Sequence, residues 1–330
     1  MPEPVPAPRR ALVLSDGAAG NENQALALAH ALAAEADIVR LQPRWPWRAV
    51  APRLLPAAEH AFGAPFIRHL RAPWPDLAIG CGRQAALATR LIHRASTGAC
   101  RSVQILDPRI DPRHFDLVIA PRHDGLHGRN VVTTLGGLNA IDGVWLERAR
   151  AAFPRFATLP APCWTLLLGG PTRALQLDRA YWDGLVAILR PRLLQQGASL
   201  LVTSSRRTPD WLRAAARTDL ADIPGMQWHG PQDGPNPYPG MLAHADAIVA
   251  TPDSVNMLSE AAATDVPLWS HTPVPVRGKV GNFVAALHES GRLRLLGEPD
   301  FTVPIFPLRE TARVAEEIRA RWGWHQGTFE

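Results

Sequence analysis

The chain has 330 residues, more than a single hydrophobic core usually organises, so about two domains are expected. With 46% hydrophobic and 20% charged residues, its composition is that of an ordinary globular protein and excludes a disordered chain. The net charge of +5 comes from 35 basic residues, nearly all Arg, against 30 acidic ones; it admits acidic small ligands, while the lack of a long basic run with interleaved aromatics argues against nucleic acid as a partner.

Cys81, Cys100 and Cys163 are scattered without CxxC spacing. Neither a disulfide framework nor a zinc site is expected, and a reduced, cytoplasmic setting fits. The opening MPEPVPAPRR has no apolar signal core and its Pro-rich start reads as a tail. No stretch reaches the ~18 apolar residues of a membrane span.

In chain order, RRALVLS reads as a strand, DGAAGNEN as a turn and QALALAHALAAEA as a helix. The Trp-, Pro- and Arg-rich RLQPRWPWRAVAPRLLP over 40–56 cannot be one long helix. An irregular packed connection is the expected reading. An acceptor-side loop or an element touching the inner membrane peripherally are the alternatives. DLAIGCG, SVQIL and DLVIA follow as strands, with RQAALATRLIHRA as a helix. Short apolar runs alternating with helical spacing are the pattern of a doubly wound parallel α/β sheet. The cycle restarts at CWTLLLGG and continues through SLLVTSS, MQWHG and HADAIVATP. Pro154, Pro160 and Pro162 crowd between the two runs, which sets expected domains at 9–155 and 156–310. Two Rossmann-like doubly wound domains facing a cleft are the expected architecture. The final LRETARVAEEIRARWGW reads as a helix, over 311–330, that packs back on the first domain.

Ligands of open α/β sheets sit where strands end and helix amino termini begin. In the first domain, LSDGAAGNENQ offers Asp16, Gly17, Asn21, Asn23 and Gln24 at such a turn; the spacing is not GxGxxG, so a dinucleotide fingerprint is not supported. These residues suit an acceptor, or equally a tight turn with Asn21 or Asn23 as helix cap. IGCGRQAA adds Arg83 at a helix start, where it can meet an anion. ILDPRIDPRHFDLVIAPRHDGLHG is rich in Asp and His but has no HxxxH or HExxH spacing, so no metal is expected. His123 beside Asp124 is an acid/base candidate.

The second domain carries the strongest constellation. LLLGGPTRA places Gly169, Gly170 and Thr172 after a strand, a loop whose amides suit a phosphate. LVTSSRRTP places Ser204, Arg206 and Arg207 at the next strand end, where two arginines beside hydroxyls suit a pyrophosphate. TPDSVNMLSEAA puts Ser254 and Asn256 at a helix entry and Glu260 two turns in. A helix beginning near Ser254 favours a diphosphate at its amino end, and Glu260 can accept two ribose hydroxyls. Capping alone explains one polar residue of that run, not all of them.

These residues also carry a resemblance. TPDSVNMLSEAAATDVPLW resembles the donor-binding helix of GT-B glycosyltransferases. Together with LSDGAAGNENQALALAHAL, VQILDPRIDPRHFDLVIAPRHDGL, VTSSRRTP and GPNPYPGMLAHADAIVATPDSVNMLSEA it resembles the mitochondrial-fission ELM family over residues 11 to 320. The resemblance implies a GT-B-like fold and metal-independent, cofactor-free transfer of a sugar from a nucleoside diphosphate donor, by expectation UDP-linked, to an unidentified acceptor. It implies donor contacts at Ser254, Asn256 and Glu260, leaving-group stabilisation by Arg206 and Arg207, and Asp16 or His123 as the base. Ala18-Ala19 departs from the bulkier or charged residue expected in that loop, so the acceptor stays open. A nucleotide-sugar epimerase and a non-catalytic scaffold of the same fold are the competing readings.

Overall fold

The computed structural model describes residues 5–6, 10–173, 175–300 and 304–325. The chain divides into two units, one formed by residues up to Ala140 together with those from Arg309 onward, the other by Ile141–Leu308.

In the first unit, the two-residue β1 (Val5–Pro6) pairs with β14 (Trp324–His325). The main sheet has six parallel strands: β2 (Arg10–Ser15), β3 (Glu35–Arg40), β4 (Leu77–Cys81), β5 (Arg101–Ile105), β6 (Leu117–Pro121) and β7 (Val131–Thr134), in the order β3-β2-β4-β5-β6-β7. β4 and β6 are buried throughout, which is why their runs read as uniformly apolar. On one face α1 (Ala19–Ala31) sets Ala25 and Leu28 into a core that also takes Val314 and Ile318 from α11 (Glu310–Trp322). On the other face α4 (Arg83–Ala95) packs Leu87 and Ile92 against Leu12 and Leu14. The Trp- and Pro-rich segment is a packed irregular connection. It contains the one-turn α2 (Trp47–Val50), leads to α3 (Ala64–Ile67), buries Leu41 and Ala51, and is tied to α4 where Arg90 Nη1 donates to the Pro52 carbonyl at 2.6 Å.

The division falls at Ala140 rather than at the proline cluster. α5 (Gly143–Ala152) packs on α8 (Tyr238–Ala243), and Arg150 Nε donates to the Ala243 carbonyl at 2.7 Å, so α5 belongs to the second unit. That unit's sheet comprises β8 (Cys163–Leu168), β9 (Ser199–Ser204), β10 (Gly225–Trp228), β11 (Ala247–Ala250), β12 (Leu268–Ser270) and β13 (Leu293–Leu295), all parallel, in the order β10-β9-β8-β11-β12-β13. The helices are α6 (Arg179–Gln196), α7 (Asp210–Asp219), α9 (Val255–Ala262) and α10 (Gly278–Glu289) besides α5 and α8. This is the dinucleotide-fold strand order, in which the direction of chain progression reverses between the first and fourth strands, β8 and β11. In the first sheet the reversal lies between β2 and β4. Among the described residues, no helix is long and apolar enough to cross a membrane.

Candidate functional site

The second unit's reversal point is built around a buried carboxylate. Asp253 follows β11 and is 4% exposed. Its Oδ1 accepts from Thr251 Oγ1 at 2.7 Å, and its Oδ2 accepts from the Gly170 amide at 3.1 Å and from Arg207 Nη2 at 2.8 Å. Burial raises the Asp253 carboxyl above its ordinary range despite these bonds. The Gly169 amide donates to Thr251 Oγ1 at 2.7 Å, and Thr208 Oγ1 donates to the Gly169 carbonyl at 2.6 Å. A Cβ on Gly169 would lie 1.8 Å from Asp253 Oδ1, and one on Gly170 would lie 2.3 Å from the Arg207 carbonyl oxygen. The glycines let three strand ends close on one carboxylate. This corrects the reading of the loop: the Gly169 and Gly170 amides are committed inward and do not point at a phosphate. Arg207 is part of the same brace. Thr172 closes a turn, its amide donating to the Leu175 carbonyl at 2.9 Å and its hydroxyl accepting from the Leu175 amide at 3.1 Å.

Ser204 is also turned inward. Gln227 Nε2 donates to the Ala216 carbonyl, which fixes the amide so that Oε1 faces His229 Nε2 at 3.1 Å. His229 Nε2 therefore carries the proton, and Nδ1 accepts from Ser204 Oγ at 3.0 Å. Burial pulls His229 down to about 4, keeping it neutral. Arg206 is the exception at this strand end. It is exposed and, among the described residues, has no hydrogen-bond or ion-pair partner.

Beyond Asp253, the chain turns outward. Ser254 caps α9, accepting from the Met257 amide, and the helix's first amides face out of its amino end. At its other end the buried Arg292 donates to the carbonyls of Ala261, Ala262 and Thr264 at 2.8–3.1 Å, with burial lowering its guanidinium to about 10. Both termini of this eight-residue helix are held. Asn256 and Glu260 are half-buried on it. Tyr238 Oη donates to Glu260 Oε2 at 2.5 Å. Burial raises the Glu260 carboxyl above its usual range, the tyrosine bond offsetting part of that, and raises Tyr238 as well. One carboxylate oxygen, Oε2, is thus already engaged. The aromatic partner could not be read from sequence spacing, because it lies on a different helix.

In the first unit, the ends of β2 and β4 meet. Asn21 Nδ2 donates to Asp16 Oδ2 at 3.1 Å, and Asp16 Oδ1 accepts from the Ala18 amide at 3.1 Å. Gly82, at φ +85°, faces this pair: a Cβ there would lie 2.9 Å from Asn21 Nδ2. Gly17 is at φ +83° in the turn itself. Arg83 is exposed at the start of α4. Two expectations are corrected. α1 begins at Ala19 with no side-chain cap, so Asn21 and Asn23 are inside it rather than capping it, and Asn23 is exposed. Gln24 is 3% exposed and accepts from the Leu138 amide at 3.3 Å; it holds the fold, not a ligand. His123, with Nε2 3.8 Å from Asp124 Oδ1, follows β6, three strand spacings from Asp16 after β2 and therefore about 14 Å away. Asp16 and His123 therefore stand at separate strand ends, as alternative candidates for the base. Cys81 is fully buried with its thiol pushed up by burial, so it is no nucleophile. Among the described residues no group of three or more His, Cys, Asp or Glu is placed to hold a metal ion.

The sequence matches the family model described as mitochondrial fission ELM1 over residues 19–322. The chain belongs to this family. It is 31% identical over 287 residues to the mitochondrial fission protein ELM1 of Arabidopsis thaliana, across 76% of this chain and 65% of that protein. It is 24% identical to an uncharacterized protein of Rickettsia prowazekii (strain Madrid E), across 93% of this chain and 97% of that one. Among solved structures, this ELM1-family chain is similar to the UDP-GlcNAc 2-epimerase of Methanocaldococcus jannaschii, with a TM-score of 0.54 at 11% identity over 94% of this chain and 99% of that one. It is also similar to the glycotransferase of kitacinnamycin, with a TM-score of 0.51 at 12% identity over 96% and 100%. The S. aureus MnaA structure with UDP gives a TM-score of 0.50 at 13% identity over 96% and 90%. At these identities the likeness establishes the fold, which is that of the two-domain GT-B enzymes.

Proposed function

We propose that the second domain binds a nucleoside diphosphate sugar, with uridine as the base, and that the chain transfers the sugar to an acceptor without a metal ion. The observation that carries this reading is the Tyr238–Glu260 pair on α8 and α9, beside a Ser254-capped helix end at the sheet's reversal point. Glu260 Oε1 is the acceptor for a ribose hydroxyl. The α9 amino end and Arg206, exposed beside it at the end of β9, offset the charge of a departing diphosphate, the work a metal ion does elsewhere. Asn256, in the first turn, contributes a polar side chain to the same end. The acceptor is assigned to the first domain, with Asp16 as base, because Asp16 lies at that sheet's own reversal point while His123 lies two strands beyond it. The UDP named with one fold neighbour is in keeping with the uridine assignment. Titration calorimetry tests it: UDP binds the wild-type chain, and Glu260→Ala weakens it about tenfold or more, the size of a lost hydrogen bond to a charged group. Unchanged affinity in Glu260→Ala removes the ribose assignment. No UDP binding by the wild type favours a non-catalytic scaffold, which is what the name of the Arabidopsis thaliana relative, with its reference to fission and to no reaction, would suggest. Product from UDP-sugar alone, with no acceptor added, favours an epimerase.

A further inference from the structure

The second domain holds a cavity of about 780 Å³ that none of the residues assigned above lines. Its walls are the loops after β8 and β12, which flank the β11–α9 turn on either side in the sheet. Arg173, the residue after Thr172, stands on one wall and Arg277, the N-cap residue of α10, on the other. Both are exposed, and among the described residues neither guanidinium has a hydrogen-bond or ion-pair partner. The acid on the rim, Asp178, is committed to capping α6, where it accepts from the Tyr181 amide at 2.9 Å. Buried Leu175 and Tyr181 form an apolar floor, and Pro273, Val274 and Pro275 give a stiff apolar side. Tyr181 is itself fixed, its hydroxyl donating to the His271 carbonyl at 2.8 Å, and the loop that carries Arg173 and Leu175 begins at Gly169 and Gly170, whose amides meet Thr251 and Asp253. The cavity thus abuts the brace at the reversal point.

A site of this size with apolar walls and a few charged groups is that of a small organic ligand. Two free guanidinium groups against one occupied carboxylate select an anion, and the planar fork of Arg matches a carboxylate. We propose that this cavity receives the glycosyl group of the donor and that this group is an acidic sugar, a uronate whose carboxylate is held by Arg173 and Arg277. The inference rests on the nucleotide reading: with the nucleoside at Glu260 and the diphosphate at the α9 amino end, the sugar is what remains to be placed beside the β11 turn. The C–H faces of the ring lie against Val274 and the prolines.

Calorimetry on the full chain with UDP, UDP-glucose, UDP-glucuronate and free glucuronate separates the outcomes. UDP-glucuronate binds about tenfold or more tighter than UDP-glucose. In Arg173→Gln/Arg277→Gln that gap closes to within about threefold while UDP affinity is unchanged. Both residues are exposed, so the variant keeps the wild-type unfolding midpoint, which is measured alongside. Equal affinity for the two UDP-sugars in the wild type, with UDP still bound, overturns the acidic-sugar assignment and leaves the nucleotide reading standing. Free glucuronate binding as tightly as UDP-glucuronate overturns it too, because the anion would then be an acceptor and not part of the donor. If UDP itself does not bind, the nucleotide reading falls and this inference with it.

Discussion

Gly169 and Gly17 occupy similar loops after apolar strands, yet they are glycines for different reasons. At Gly17 a Cβ would meet nothing within 4 Å, and only the φ of +83° resists a side chain. At Gly169 the obstacle is the buried Asp253 carboxylate 1.8 Å away. Gly169→Ala should therefore cost about 3 kcal/mol, because the carboxylate must leave Thr251, Gly170 and Arg207 to make room. Gly17→Ala should cost about 1 kcal/mol, the strain of a left-handed alanine. Urea unfolding measures both, and similar costs would mean that the brace around Asp253 is not a rigid feature. The same comparison explains what could be read of the site beforehand. A glycine pair after a strand, with hydroxyls and arginines nearby, reads as a phosphate loop because phosphates and buried carboxylates are anions that attract the same residue types. Sequence shows the donors and not which anion they serve. The polar run TPDSVNMLSE divides by direction: Thr251 and Asp253 turn inward, Ser254 caps, and Asn256 and Glu260 stay half-buried on α9.

Strands β2, β4, β5, β6, β8, β9, β10 and β11 were legible as apolar runs, whereas β7, β12 and β13, only three or four residues each, and the largely exposed β3 were not. β4, β6 and β11 are apolar along their whole length, and α9 and α11 start near where their spacing says, although α11 stops at Trp322, short of the expected 330, where Gly323 turns the chain into β14. The partnership of α5 was not legible, since the helix buries only Leu146 and Ala149 and nothing in those two residues names α8. The pairing of β10 is a further case. This edge strand runs beside β9 from Gly225 to Trp228, and at its end His229 accepts from Ser204 of β9. That bond needs a neutral imidazole. His229 titrates near 4 in the folded chain and near 6.5 when unfolded, so its contribution is complete above about pH 6.5 and is lost as pH falls toward 4. Thermal unfolding from pH 7.5 to 4.5 should show the wild-type midpoint falling more steeply than that of His229→Gln, which cannot gain the proton. Parallel curves would show that the His229–Ser204 bond does not control the β9–β10 edge.

At the scale of the molecule, the first unit is discontinuous in sequence and the second is not. The first sheet and its helices end at Ala140, but its core is completed from the far end of the chain, where Val314 and Ile318 are fully buried and Trp324 is 6% exposed. Polar ties join them: Glu310 Oε1 accepts from the Leu135 amide at 2.7 Å, and the Thr311 hydroxyl accepts from the Asn139 amide at 3.0 Å and donates to the Asn139 carbonyl at 2.6 Å. Exposing Val314 and Ile318 alone forfeits about 2 kcal/mol each. Adding Trp324 and the ties to residues 135–139 brings the loss into the range of a whole domain's stability, about 5–15 kcal/mol. Residues 141–308 have no such debt, since all six strands of their sheet and the brace around Asp253 lie within the segment. A chain ending at Leu308 should consequently lose protection of the β2, β4 and β5 amides in hydrogen exchange while β8, β9 and β11 keep theirs. It should still bind UDP, because every residue assigned to the donor belongs to the second unit. Equal loss of protection in both sheets would show that the two units do not hold their structure independently, and the donor site would then have to be understood as a property of the entire chain.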